Sequence, residues 1–147
     1  MWELTDELQE EVTILIHALQ ENQGYEDAKS AYTVWFGEDD PRNVTARTRG
    51  KTVTKEAGEC QAALYALAQV PSNDKLTLKT SSGYPRRILT VNLKKMEERD
   101  WLGNPNAEIL QALTATLRAR SGPTLLGKLN ERCTIAHLKG LVVNGLS

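Results

Sequence analysis

The feature that most constrains this fold is an early hairpin pattern followed by alternating helix-length and strand-length segments. Ala31-Tyr32-Thr33-Val34-Trp35-Phe36 is rich in β-branched and aromatic residues and ends at Gly37. Glu38-Asp39-Asp40-Pro41 supplies a turn and Val44 to Arg49 a second extended run, so the two segments read as a hairpin. From Thr54 to Gln69 the spacing becomes helical, with Ala62, Ala63, Ala66 and Leu67 on one side, until Pro71-Ser72-Asn73-Asp74 breaks it. Residues 75–80 alternate apolar and polar as a strand does, and 84–92 and 94–100 read as helical pieces. Gly103-Asn104-Pro105 turns the chain into a helix from Asn106 to Ala119, whose Ile109, Leu110, Leu113 and Leu117 share a face. Ser121-Gly122-Pro123 stops it, Thr124 to Leu129 is a last strand, and the apolar stretch 131–146 fits a helix or a strand. A hairpin feeding alternating strands and helices predicts an α/β fold, a mixed sheet with helices packed on it.

Periodicity alone does not decide the start of the chain. Leu4, Leu8, Val12, Leu15 and Leu19 step by three or four, as a helix stripe does, yet Val12-Thr13-Ile14-Leu15-Ile16 is a good β-branched strand. Either a short acidic helix to about Glu10 precedes a first strand, or one long helix runs through both. A lost central strand would leave its neighbours' backbone groups unpaired. Donation of a strand by another subunit, or dimerisation through an amphipathic helix, would then be needed, so a homodimer through the N-terminal segment is one expectation. Asn22-Gln23-Gly24 reads as a turn.

Composition bounds the rest. The 147 residues suffice for one domain over 1–147, and 40% hydrophobic with 25% charged residues is ordinary for a soluble globular chain. No apolar run approaches the roughly 18–20 residues that span a bilayer, so no membrane partner is expected. The start is acidic and lacks the basic region of a signal peptide, which points to an intracellular, cytoplasmic or nuclear, location. In that setting the sequon Asn43-Val44-Thr45 is a chance match. Cys60 and Cys133 lie far apart with no metal spacing, and no cofactor is expected. Charge is segregated: residues 1–40 carry eleven acids and one base, residues 41–147 seventeen bases and eight acids. Such asymmetry suits either an acidic segment lying over a basic body or a basic nucleic-acid surface.

An ordered set of residues gives this architecture a family likeness. It comprises Val34-Trp35-Phe36-Gly37 with Pro41-Arg42-Asn43, then Gly58-Glu59 with Ala62, Ala66 and Leu67. It continues through Leu76, Leu78, Thr80, Ser82 and Tyr84, through Glu98-Arg99-Asp100-Trp101-Leu102-Gly103, and through Leu117-Arg118, Arg120 and Pro123-Thr124. Over roughly residues 14–126 the chain resembles the ribonuclease H family, in its fungal retrotransposon-type branch. The resemblance implies an RNase H-like fold, a mixed five-stranded sheet flanked by helices, with an acidic N-terminal segment (about 1–11) and a divergent C-terminal one (about 127–147).

It also implies a chemistry that this chain does not match. Family members use four carboxylates around two divalent ions, which activate water and stabilise the leaving oxygen. The resemblance places those acids at His17, Glu59, Ser81 and, near the C-terminus, Val142; only Glu59 is a carboxylate, and residues 133–147 contain no Asp or Glu. The expectation is a pseudoenzyme with no intact catalytic residue and no metal site, its Glu59 hydrogen-bonded to Ser81 or His17. Where relatives carry Thr-Asn-Gln or Thr-Asn-Asn to meet RNA, this chain has Thr54-Lys55-Glu56. Arg86-Arg87 and Lys94-Lys95 form a basic run with Trp101 beside it, in the region some RNases H use to grip the DNA strand of a hybrid. Arg47, Arg49, Lys51 and Lys55 form a second candidate phosphate surface.

Three functions follow: binding of an RNA–DNA hybrid, other nucleic acid or a protein; a structural or oligomerisation role; or residual or altered metal-dependent nuclease chemistry through His17 and Glu59.

Overall fold

A computed structural model describes residues 11–22 and 26–146. The acidic helix expected before Glu10 and most of the turn at Gln23-Gly24 lie outside the described residues, as does most of the segment expected to dimerise.

The first strand is present. β1 runs Glu11–Glu21, followed by β2 (Lys29–Trp35), β3 (Val44–Arg47), α1 (Lys55–Ala68), β4 (Lys75–Thr80), α2 (Tyr84–Arg86), a π-helical turn (Arg87–Val91), α3 (Leu93–Glu98), α4 (Ala107–Ala119), β5 (Thr124–Lys128) and α5 (Arg132–Leu146). The sheet order is β3-β2-β1-β4-β5. β1 pairs antiparallel with β2, Ile16 opposite Val34 and His17 opposite Thr33. On its other side it pairs parallel with β4, from Glu11–Lys75 to Ile16–Thr80.

Over Glu11–Glu21 the long-helix alternative is therefore wrong, for a physical reason. A central strand covered on both faces is apolar on both, and such a run holds helix-like spacings by coincidence. Ile14, Ile16 and Ala18 are buried on the face that carries α1. Leu19, on the opposite face, packs with Ala31, Val142 and Leu146 beneath α5. The ambiguous stretch 131–146 is that helix, its last carbonyls held by cations. Lys29 Nζ donates to Leu146 O (2.8 Å), and Arg47 donates to Gly145 O (2.6 Å) and Leu146 O (2.9 Å). Positive charge at a helix C-terminus is favourable, and it removes Arg47 from the expected phosphate surface.

The first hairpin is fixed by one amide. Asn43 Oδ1 accepts from Phe36 N–H (2.6 Å) and its Nδ2 donates to Gly37 O (2.6 Å). α1 begins at Thr54, whose hydroxyl accepts from Ala57 N–H (3.2 Å), while Gln20 Oε1 accepts from Lys55 N–H (2.8 Å). Its second turn sits close on the sheet. A Cβ at Gly58 would lie 2.7 Å from Thr48 Oγ1, 3.1 Å from Ser30 Oγ and 3.3 Å from the Ala18 Cβ. Thr48 and Ser30 are already hydrogen-bonded to each other (2.8 Å), so neither yields freely.

Gly58→Ala should therefore lower stability by about 1–3 kcal/mol, the usual cost of overpacking, read as a shift of the urea midpoint at unchanged slope.

Candidate functional site

β4 ends before β1 does, and the site lies at that step. Ile16 O accepts from Ser81 N–H (3.2 Å), the last bond between the two strands, and His17 is the next residue of β1. The chain then turns through Gly83 (φ +73°), a left-handed conformation that suits glycine. Thr80 Oγ1 accepts from Gly83 N–H (3.2 Å), and Ser82 Oγ accepts from Tyr84 N–H (3.2 Å).

Two adjacent serines divide the site. Side chains alternate across the sheet, so Ser81 turns to the α5 face with His17 and Ser82 to the α1 face. Ser81 Oγ lies 2.5 Å from His17 Nδ1. Ser82 Oγ lies 2.5 and 2.6 Å from the two carboxyl oxygens of Glu59, which hangs from α1 and is 1% exposed. The expected partner of Glu59, Ser81 or His17, is thus corrected to Ser82, because consecutive residues leaving a strand cannot serve the same face. His17 is 8% exposed, and its Nε2 has no partner among the described residues.

Burial sets the electrostatics. It pushes the Glu59 carboxyl up to about 7, with Glu56 adding and the Ser82 hydrogen bond and the Lys55 charge opposing. Burial lowers the pKa of His17, and the charges of Lys139 and Lys55 lower it further. Near neutral pH the site thus holds a neutral imidazole and a carboxyl close to half-protonation.

Val142 is fully buried against Ala31 and Leu146 and, being apolar, brings no ligand to this site. The α5 residue whose charge reaches His17 is Lys139, which no motif in the C-terminal segment marks. Trp101 is also corrected: it is 5% exposed and belongs to the main core, unable to stack on a sugar. Its backbone turns inward through the left-handed pair Asp100 (φ 51°) and Trp101 (φ 60°), a reversal that the sequence run Glu98–Gly103 does not announce.

The basic residues are placed as a surface. Arg86, Arg87, Lys94 and Lys95 are exposed, and among the described residues none makes an ion pair. Glu97, one of the acids within that run, is taken by Arg118 in a two-pronged pair at 2.7 Å. Thr54 and Glu56 line a groove with Tyr84, Met96 and Asn106, which joins the start of α1 to α2 and α3.

Similarity to known proteins agrees with this architecture. No protein-family model matches the chain. It is 33% identical over 78 residues to the Ribonuclease H of Schizosaccharomyces pombe, a match to 53% of this chain and 29% of that protein. Among solved structures, the foamy viral protease-reverse transcriptase in complex with dsDNA superposes with a TM-score of 0.69 at 10% identity, over 91% of this chain and 92% of that one. The chain has a ribonuclease H fold. The PFV RNase H domain superposes at 0.65, with 11% identity over 93% and 94% of the two chains. LC9-RNase H1, a type 1 RNase H with the type 2 active-site motif, does so at 0.61, with 11% identity over 92% and 72%. The resemblance to the ribonuclease H family and the mixed five-stranded sheet flanked by helices are both borne out. In this RNase H-like frame, no helix among the described residues is long and apolar enough to cross a membrane.

Titration of Glu59 gives a signed prediction. Between pH 4.5 and about 7 the folded chain keeps a proton on Glu59 that the unfolded chain has released, so stability falls as pH rises through that window. His17 slopes the other way below pH 6.5, so the useful quantity is the difference between wild type and Glu59→Gln. From pH 4.5 to 8 that difference should move against wild type by about 3 kcal/mol, at 1.36 kcal/mol per unit, measured by urea unfolding at each pH.

Proposed function

We propose that this chain is an RNase H-like pseudoenzyme of retroelement origin that binds nucleic acid, an RNA–DNA hybrid foremost, without hydrolysing it. The observation that carries the first half is the pairing at the tip of β4. A two-metal centre needs several anionic oxygen ligands around hard ions. This site offers one buried carboxyl, two hydroxyls and a neutral imidazole, and among the described residues no group of three or more His, Cys, Asp or Glu could hold a metal. These residues do not fit the metal pair that the fold family implies, and the nearby charges that lower the His17 pKa, Lys139 and Lys55, are themselves cations.

The second half rests on Arg86, Arg87, Lys94 and Lys95, exposed along one stepped helix and free of ion pairs among the described residues. Cations that carry no partner are the ones available to displace counterions from a phosphate backbone. Lys55 and Thr54, at the start of α1, extend that surface toward the groove, where the Thr54 hydroxyl already caps the helix. The salt bridge between Arg118 and Glu97 is itself neutral, and it keeps Glu97 from pairing with those four cations. Trp101 takes no part.

Retardation of a 20-base-pair RNA–DNA hybrid on a native gel tests both halves. With four phosphate contacts, affinity should fall about 100-fold between 50 and 200 mM salt. Changing Arg86, Arg87, Lys94 and Lys95 to Ala should abolish most of that dependence, and the hybrid should stay intact with Mg²⁺ or Mn²⁺ at millimolar concentration. No retardation at about 50 mM salt contradicts binding, and cleavage that disappears with Glu59→Gln contradicts inactivity.

A further inference from the structure

We infer that the open edge of β5 is a docking site for an acidic, apolar peptide segment, which adds to the sheet as a sixth, extended strand. This goes beyond nucleic-acid binding and uses the sheet edge, sharing Arg86 with the proposed nucleic-acid surface.

β5 is the last strand of the sheet, paired on one side only. Pro123 O accepts from Leu76 N–H (2.9 Å), and Leu129 N–H donates to Thr80 O (2.8 Å), so the odd-numbered residues of this strand face β4. By alternation Thr124, Leu126 and Lys128 direct their N–H and C=O groups outward, and among the described residues nothing pairs with them. Natural sheets blunt such an edge with proline, bulges, several charges or a covering helix. Thr124-Leu125-Leu126-Gly127-Lys128 has one terminal lysine and no bulge, and Leu125 is 54% exposed.

The edge has a shaped wall. A groove of about 560 Å³ runs beside it, floored by Leu89, Leu117 and Leu126 and bordered by Arg86 and Arg118. A strand added to β5 would place every second side chain in this groove and the alternate ones beside Leu125, the arrangement of strand addition. The charge at the rim selects the occupant. Arg86 lines the groove, Lys128 ends the strand, and neither makes an ion pair among the described residues, while no acid lines the groove. Apolar residues flanked by Glu or Asp therefore complement it. A second copy of the chain does not. Antiparallel self-pairing about Leu126 would set Lys128 of each copy against Thr124 of the other, where the Arg120 guanidinium is already bonded (3.0 Å).

The test uses the full chain and a fluorescein-labelled heptapeptide of alternating Glu and Leu, followed by fluorescence anisotropy. Saturable binding is expected, weakened at least tenfold by N-methylation of alternate peptide bonds and at least tenfold when Lys replaces Glu in the peptide. Leu126→Glu should also abolish it; because Leu126 touches the core, the surface variant Lys128→Glu, expected to weaken binding several-fold, serves as its control. Three results would overturn the inference. These are no binding at millimolar chain, equal binding of the N-methylated peptide, and a concentration-dependent dimer in sedimentation that Lys128→Glu strengthens.

Discussion

β1 is bonded along both edges, antiparallel to β2 and parallel to β4, and that double pairing places everything else. It commits the hairpin to one side of the sheet and the crossover through α1 to the other, since a parallel neighbour needs a long connection. Because β4 stops level with Ile16 while β1 runs on to Glu21, it also creates a step at which side chains from β1, β4 and α1 meet. Gly58 is the fine adjustment. It lets α1 approach the sheet closely enough for the next residue, Glu59, to reach the turn after β4.

What the chain does with that step follows from the cost of burying charge. A carboxylate removed from water is unfavourable unless it is paired or protonated. Among the described residues Glu59 accepts hydrogen bonds from Ser82 alone, from its hydroxyl and its backbone N–H, and burial raises it to about 7. Cys60 beside it is pushed up to about 12 for the same reason. His17, held by Ser81 on the opposite face, is kept neutral by burial, with the charges of Lys139 and Lys55 adding to it. The centre of the site is thus nearly neutral. Exposed cations without an ion pair among the described residues lie outside it, Arg86, Arg87, Lys94 and Lys95 among them.

Much of this was legible in the sequence because it was written in local signals. The hairpin turn, the helix opened by Thr54 and stopped before Pro71, and the α4 stripe Ile109, Leu110, Leu113 and Leu117 each depend on residues close together in the chain. Glu59 and Ser81 were singled out by the family resemblance rather than by a local signal. What local signals could not give is direction. Which serine meets Glu59 depends on the side of the sheet each one faces. Trp101 turns inward through two non-glycine residues in the left-handed region, a conformation without a residue signature. α5 carries cations and apolar residues at no distinctive spacing, so Lys139 near His17 emerges only from packing against β1 and β2.

The central claim is that the site at the tip of β4, with its buried carboxyl, two hydroxyls and neutral imidazole, does not gather divalent ions. Titration of ¹⁵N-labelled protein with Mn²⁺, read as paramagnetic broadening of amide signals, tests it most directly. The account predicts that at millimolar Mn²⁺ the signals of His17, Glu59, Ser81 and Ser82 broaden no more than those of the exposed surface carboxylates. Saturable broadening confined to those four residues, at lower Mn²⁺ than elsewhere in the chain, would contradict it.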